Sequence, residues 1–163
     1  MPTMFTVTKF IEFDAGHRVP NHKSKCRSPH GHRYKVAATV EGPLVTTEGA
    51  SDEGMVKDFG DIKEVMMRRI HDVLDHGFIM YEGDRMLRRL FWADAVPERL
   101  PNPEGFKIIV FPYIPTAENI ARWCFEVIEA ELRYTGNVAS VTVWETPNSF
   151  ATITSEALVA QGE

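Results

Sequence analysis

Two stretches of strict two-residue alternation constrain this chain more than any other feature. Between residues 30 and 41, Tyr34, Val36, Ala38 and Val40 alternate with Arg33, Lys35, Ala37, Thr39 and Glu41. A period of two is that of a pleated strand with one buried face. Pro43 ends the run, because proline cannot donate to a ladder. Residues 3–17 carry the same signal less cleanly: Phe5, Val7, Ile11 and Phe13 share one parity, interrupted by Lys9. Two such strands this close in sequence predict an antiparallel hairpin whose apolar faces coincide.

Helical spacing takes over in the middle of the chain. Ile62, Val65, Met66, Ile70, Val73 and Leu74 form one apolar stripe, with Asp58 as the expected N-cap and Gly77 as the expected end. A second stripe, Ile120, Trp123, Cys124, Val127 and Ile128, predicts a helix from about 116 to 132, with Thr116 after Pro115 as its cap. Between them lies an irregular segment at about 80–106, with a helical turn near Met86 to Phe91. Lys107 to Phe111 reads as a short buried strand. Alternation returns through Ala139, Val141, Val143 and Glu145, and after a turn at Pro147 and Asn148, Ser149 to Thr154 reads as a last strand. The order β-β-α-α-β-β, with strands at both ends, predicts a single α+β domain over 1–163, an antiparallel β-sheet carrying two helices on one face.

Charge narrows the function. The chain has a net charge of −5, which argues against non-specific nucleic-acid binding. No run approaches the about 20 apolar residues of a membrane span. Met1 to Phe10 lacks the pattern of a signal peptide, and Cys26 and Cys124 suggest no disulfide framework, so a cytoplasmic protein is expected. Yet no Asp or Glu occurs between Ala15 and Val40, a window holding Arg18, Lys23, Lys25, Arg27, Arg33 and Lys35 and four of the 6 histidines. A basic, His-rich segment in an acidic chain suggests an anionic ligand, a metal, or both.

Parity sharpens the metal reading. The odd row of the first strand runs on to Ala15 and His17, and the even row of the second runs back to His32 and His30. In a hairpin all three imidazoles meet on one face, the donor set of a catalytic zinc site with an open position. Cys26 has two readings. As a fourth ligand it closes a structural site; flanked by Lys25 and Arg27, its thiolate is favoured and acts as base or nucleophile. Cys124, on an apolar helix face, reads as core.

The run Phe13-Asp14-Ala15-Gly16-His17-Arg18, followed by Cys26-Arg27-Ser28-Pro29-His30-Gly31-His32, resembles the zinc and cysteine signature of the 6-pyruvoyl-tetrahydropterin synthase superfamily. Asp58-Phe59, Leu74-Asp75-His76, Pro115-Thr116-Ala117-Glu118-Asn119 and Val143-Trp144-Glu145-Thr146-Pro147 agree with further family motifs in order. The spacing between Cys26 and His30 is similar to that of the bacterial 6-carboxytetrahydropterin synthases of queuosine biosynthesis. The chain departs from the pattern after His76, where the usual Leu-Asn is replaced by Gly77-Phe78-Ile79-Met80.

The resemblance implies a tunnelling fold, whose subunits form trimeric β-barrels that pair into homohexamers. It implies a zinc-dependent lyase that converts 7,8-dihydroneopterin triphosphate to 6-carboxy-5,6,7,8-tetrahydropterin, acetaldehyde and triphosphate. The alternatives are 6-pyruvoyl-tetrahydropterin synthase activity and a non-catalytic pterin-binding zinc protein. It further implies zinc on His17, His30 and His32, Cys26 as the proton-shuttling base, and Asp75 with His76 as a proton-carrying pair from a neighbouring subunit. Glu145 is the implied pterin anchor, with Glu118 and Thr116 as further substrate-side residues. Ordinary helix ends also account for Asp75-His76 and for Thr116-Glu118. Arg18, Lys23, Lys25 and Arg27 are candidates for the triphosphate.

Overall fold

The computed structural model describes residues 2–92, 105–132 and 136–156; of the segment expected to be irregular at 80–106, residues 93–104 lie outside the described residues. The strands are β1 (Phe5–His17), β2 (His30–Gly42), β3 (Gly77–Tyr81), β4 (Ile108–Phe111), β5 (Asn137–Thr146) and β6 (Ser149–Thr154). The helices are α1 (Phe59–Met66), α2 (Asp72–Leu74), α3 (Arg85–Trp92) and α4 (Ala117–Leu132). A π-helical segment, Met67–His71, joins α1 to α2, so the first predicted helix is continuous in stripe but not in winding. Asp58 caps α1 as expected, accepting from the Gly60 N–H at 2.6 Å.

The strands form one six-stranded sheet in the order β4-β3-β1-β2-β5-β6. The expected antiparallel arrangement holds for β1, β2, β5 and β6. It fails for β3 and β4, which add in parallel beside β1, so the sheet is mixed. The reason lies in the connections: helical segments precede β3 and β4, and a strand reached by a crossover enters parallel to its neighbour. β3 itself falls where the sequence showed only a helix end and an irregular stretch.

The hairpin register matches the parity argument, pairing Phe13 with Tyr34, Ala15 with His32 and His17 with His30. The core lies between this face and the helices, where Phe13, Tyr34, Val36, Ile62, Met66, Ile120, Cys124 and Val143 are buried. Two details of the expected rows change. Phe5, at the open end of β1, is 43% exposed. Ala139 drops out of the buried row and Val138 replaces it, because the β2–β5 register slips between Thr39 and Val40. Such a bulge adds one residue and reverses parity beyond it.

The end of the first helical region also differs from expectation. The left-handed residue is His76, at φ 55°, rather than Gly77. Gly77 is required for a different reason: a Cβ there would collide with Ile109 Cδ1 and sit 3.0 Å from the Leu74 carbonyl oxygen. No described helix is long and apolar enough to cross a membrane.

Candidate metal centre and its pocket

The three histidines converge at the end of the β1–β2 hairpin. Their rings lie 4.6 Å (His17–His30), 5.1 Å (His17–His32) and 4.9 Å (His30–His32) apart between centroids. One donor atom from each lies within 4.8 Å of the other two, and among the described residues no cysteine or carboxylate joins that group.

Their hydrogen bonds set which ring nitrogens carry lone pairs. The His17 Nδ1–H donates to the Pro115 carbonyl at 2.7 Å, and the His30 Nδ1–H donates to the Ser28 carbonyl at 2.7 Å. A neutral imidazole has one N–H, so both Nε2 atoms present lone pairs. These two Nε2 atoms face each other at 3.2 Å. His32 Nε2 is buried with no partner. Lone pairs this close repel unless a cation sits between them, and backbone carbonyls that fix the far nitrogen are the usual support of metal-binding histidines. Burial, opposed by the Pro115 bond and reinforced by the charges of His30 and His32, lowers the His17 pKa to about 4. The His32 pKa is also lowered, by burial first and by His30 second. Neutral imidazoles are the ligating form. The donor set fits a divalent metal with an open position.

The pocket that contains this cluster measures about 320 Å³ and gathers most of the sequence-predicted residues. Cys26, Thr116, Glu118 and Glu145 all line it. Glu145 Oε1 stands 3.7 Å from His17 Nε2. It continues the inward row of Val141 and Val143, as its parity predicts, and the β5–β6 register slips around it, between Trp144 and Thr146. Its pKa is raised, chiefly by burial, with His30 opposing and Glu118 adding to the rise. Thr116 also caps α4, its Oγ1 accepting from the Asn119 N–H at 3.4 Å, so the capping and pocket readings are both satisfied.

Asp75 and His76 are placed elsewhere. His76 borders a second hollow, about 450 Å³, with Asp14, Gly16, Gly31 and Arg33, and His32 lines both hollows. The pair is well built: Asp75 Oδ1 accepts from the Asp14 N–H at 3.0 Å, and the His76 Nδ1–H donates to Asp75 Oδ2 at 2.7 Å. The Asp14 amide, and then His76, hold the Asp75 carboxyl below its ordinary pKa. The His76 side chain is 81% exposed. Within one subunit neither Asp75 nor His76 lines the pocket that gathers all three histidines.

Two features escaped the sequence reading. Tyr34, expected only as core, has a buried hydroxyl with no partner and a ring edge-on to His17 and His32 at 5.9 and 5.5 Å. Burial, and Glu145 after it, push its pKa far up. Its place one step beyond His32 in the same row was the available signal. Arg18, expected as a triphosphate candidate, is instead engaged by the buried Asp84, with Nε 2.7 Å from Oδ2 but off the axis of a good hydrogen bond.

Residues 6–156 match the profile of the family described as 6-pyruvoyl tetrahydropterin synthase. This chain belongs to that family. It is 32% identical over 152 residues to a Rickettsia bellii protein named 6-carboxy-5,6,7,8-tetrahydropterin synthase, covering 92% of this chain and 100% of the relative. A Haemophilus influenzae protein of the same name is 33% identical over 147 residues, covering 90% of this chain and 96% of the relative. By this relationship the chain is an enzyme, a lyase of the pterin synthase type. Among solved structures, an uncharacterized protein from Wolinella succinogenes superposes with a TM-score of 0.77 at 26% identity, covering 94% of this chain and 99% of that one. The Caenorhabditis elegans 6-pyruvoyl tetrahydropterin synthase shares the fold, with a TM-score of 0.63 at 23% identity, covering 94% of this chain and 97% of that one. The tunnelling-fold subunit read from the motifs is the fold found.

Proposed function

We propose that this enzyme converts 7,8-dihydroneopterin triphosphate to 6-carboxy-5,6,7,8-tetrahydropterin, releasing acetaldehyde and triphosphate, as a cytoplasmic step in 7-deazaguanine and queuosine biosynthesis. The observation that carries the reading is the convergence of three histidines, Cys26 and Glu145 on one pocket, in a chain whose relatives bear that enzyme's name. His17, His30 and His32 would hold zinc, which when bound would supply a Lewis acid for the side-chain hydroxyls of the substrate.

The chain's own residues divide the remaining work. Glu145 anchors the pterin, its carboxylate accepting from a ring N–H and the exocyclic amine. A half-buried carboxylate needs such a partner. Cys26, on the pocket wall but outside the ligand cluster, takes and returns protons at the side-chain carbons. Thr116 and Glu118 close the substrate side of the pocket. Asp75 and His76 carry protons into a neighbouring subunit's pocket, in a homohexamer built as a dimer of trimers. An exposed imidazole oriented by a carboxylate suits that task.

The test is product analysis. Zinc-loaded protein incubated with 7,8-dihydroneopterin triphosphate is expected to yield a 6-carboxytetrahydropterin mass and acetaldehyde. A pyruvoyl product assigns the sister activity, and no turnover overturns the reading. Cys26→Ala is expected to keep its zinc and lose about 10²–10⁴-fold in turnover; loss of zinc and of folding makes Cys26 a structural ligand instead.

A further inference from the structure

The loop between β1 and β2 is exposed along most of its length. Among residues 21–30 only His22, Cys26 and His30 are withdrawn from solvent, and all three line the histidine pocket. His30 belongs to the metal cluster and Cys26 has a role in the proposed reaction. His22 has none.

The loop is folded so as to fix this side chain. The Val19 N–H donates to the Cys26 carbonyl at 2.9 Å, and the His22 N–H donates to the Val19 carbonyl at 3.1 Å. The Ser24 N–H donates to His22 Nδ1 at 3.0 Å. A backbone amide only donates, so Nδ1 holds the lone pair and the ring proton of the neutral imidazole sits on Nε2. The pocket wall beside Cys26 thus carries a pre-set hydrogen-bond donor.

Its surroundings are cationic. Lys23, Lys25 and Arg27 are exposed on the same loop, and no acid occurs between Ala15 and Val40. Arg18, at the start of the loop, is engaged by Asp84. The exposed cations raise the local concentration of an anion without fixing its position. A side chain tied to the loop backbone fixes it.

We propose that His22 is a specificity residue of this pocket, its Nε2–H donating to a phosphate oxygen of a polyphosphate-bearing substrate. The inference rests on the reaction proposed above, in which the substrate carries a triphosphate.

Two isosteric replacements separate the donor from the loop bond. His22→Asn keeps an acceptor near the Nδ1 position and lacks the donor. His22→Gln carries N–H near the Nε2 position and loses the bond to Ser24. Both are made in a zinc-loaded Cys26→Ala background, where substrate is not consumed, and titrated with 7,8-dihydroneopterin triphosphate and with 7,8-dihydroneopterin. His22→Asn is expected to weaken the triphosphate by about tenfold or more, as for a hydrogen bond to a charged group, and the unphosphorylated ligand by less than about twofold. His22→Gln is expected to stay within about threefold of the parent for both ligands. Equal weakening of both ligands, an effect in His22→Gln as large as in His22→Asn, or no effect in either variant overturns the inference while pterin binding stands. Failure of the parent to bind either ligand overturns the proposed reaction, and this inference with it.

Discussion

At the scale of single residues, the lowered pKa of His17 has a consequence for stability. The unfolded chain takes up this proton near 6.5 and the folded chain near 4. Between those values the unfolded state binds more protons, so stability falls as pH falls through the window. With metal removed, the loss attributable to His17 between pH 7 and pH 4 is about 3 kcal/mol. Denaturant titrations across that range are expected to show it, and His17→Gln to flatten the dependence. Glu145 makes a different prediction. Glu145→Ala is expected to weaken pterin binding by about tenfold or more while zinc content is retained; an unchanged pterin affinity removes Glu145 from the site.

At the scale of elements, α3 is tied to the histidine-bearing strand β1 through Asp84. This residue is 3% exposed, its Oδ1 accepts from the Leu87 N–H at 3.1 Å as the helix cap, and its Oδ2 faces Arg18. Arg18 follows His17 directly, so the cap of one element and the end of another share one carboxylate. Removing one member of a buried ion pair strands the other charge, at about 3–5 kcal/mol. Asp84→Ala is expected to lower the unfolding free energy by that order, and Arg18→Met in the Asp84→Ala background to recover part of it. A double-mutant cycle by chemical denaturation measures the coupling. The element boundaries of β1, β2, β5 and β6 were legible because period-two alternation survives in them. β3 was not, because Gly77 to Tyr81 has apolar residues on both faces, with Ile79 and Met80 both buried and no alternation to count.

At the scale of the whole molecule, the two hollows divide the proposed proton chemistry. The histidine pocket holds Cys26, and the second hollow holds His76. If each working site takes Cys26 from one subunit and His76 from its neighbour, two inactive variants rescue each other. Cys26→Ala and His76→Ala proteins, unfolded together and refolded, are expected to regain activity at roughly a quarter of sites, the statistical share of sites with both residues intact under random assembly. Activity no greater than that of the separately refolded variants excludes a shared site.

By itself the sequence determined the α+β class, the hairpin register and the three histidines on one face, because the two-residue period of a strand assigns every side chain to a face before any packing is known. It also carried the ordered motifs that resemble the family. Only the tertiary structure decided that the inward Glu145 ends 3.7 Å from His17, that Pro115 and Ser28 fix the tautomers of His17 and His30, and that Arg18 is engaged by Asp84. These depend on residues up to 98 positions apart. A periodicity is local and one-dimensional, whereas a hydrogen bond between distant carbonyl and ring, or the register slip that redirects a side chain, exists only once the elements have packed.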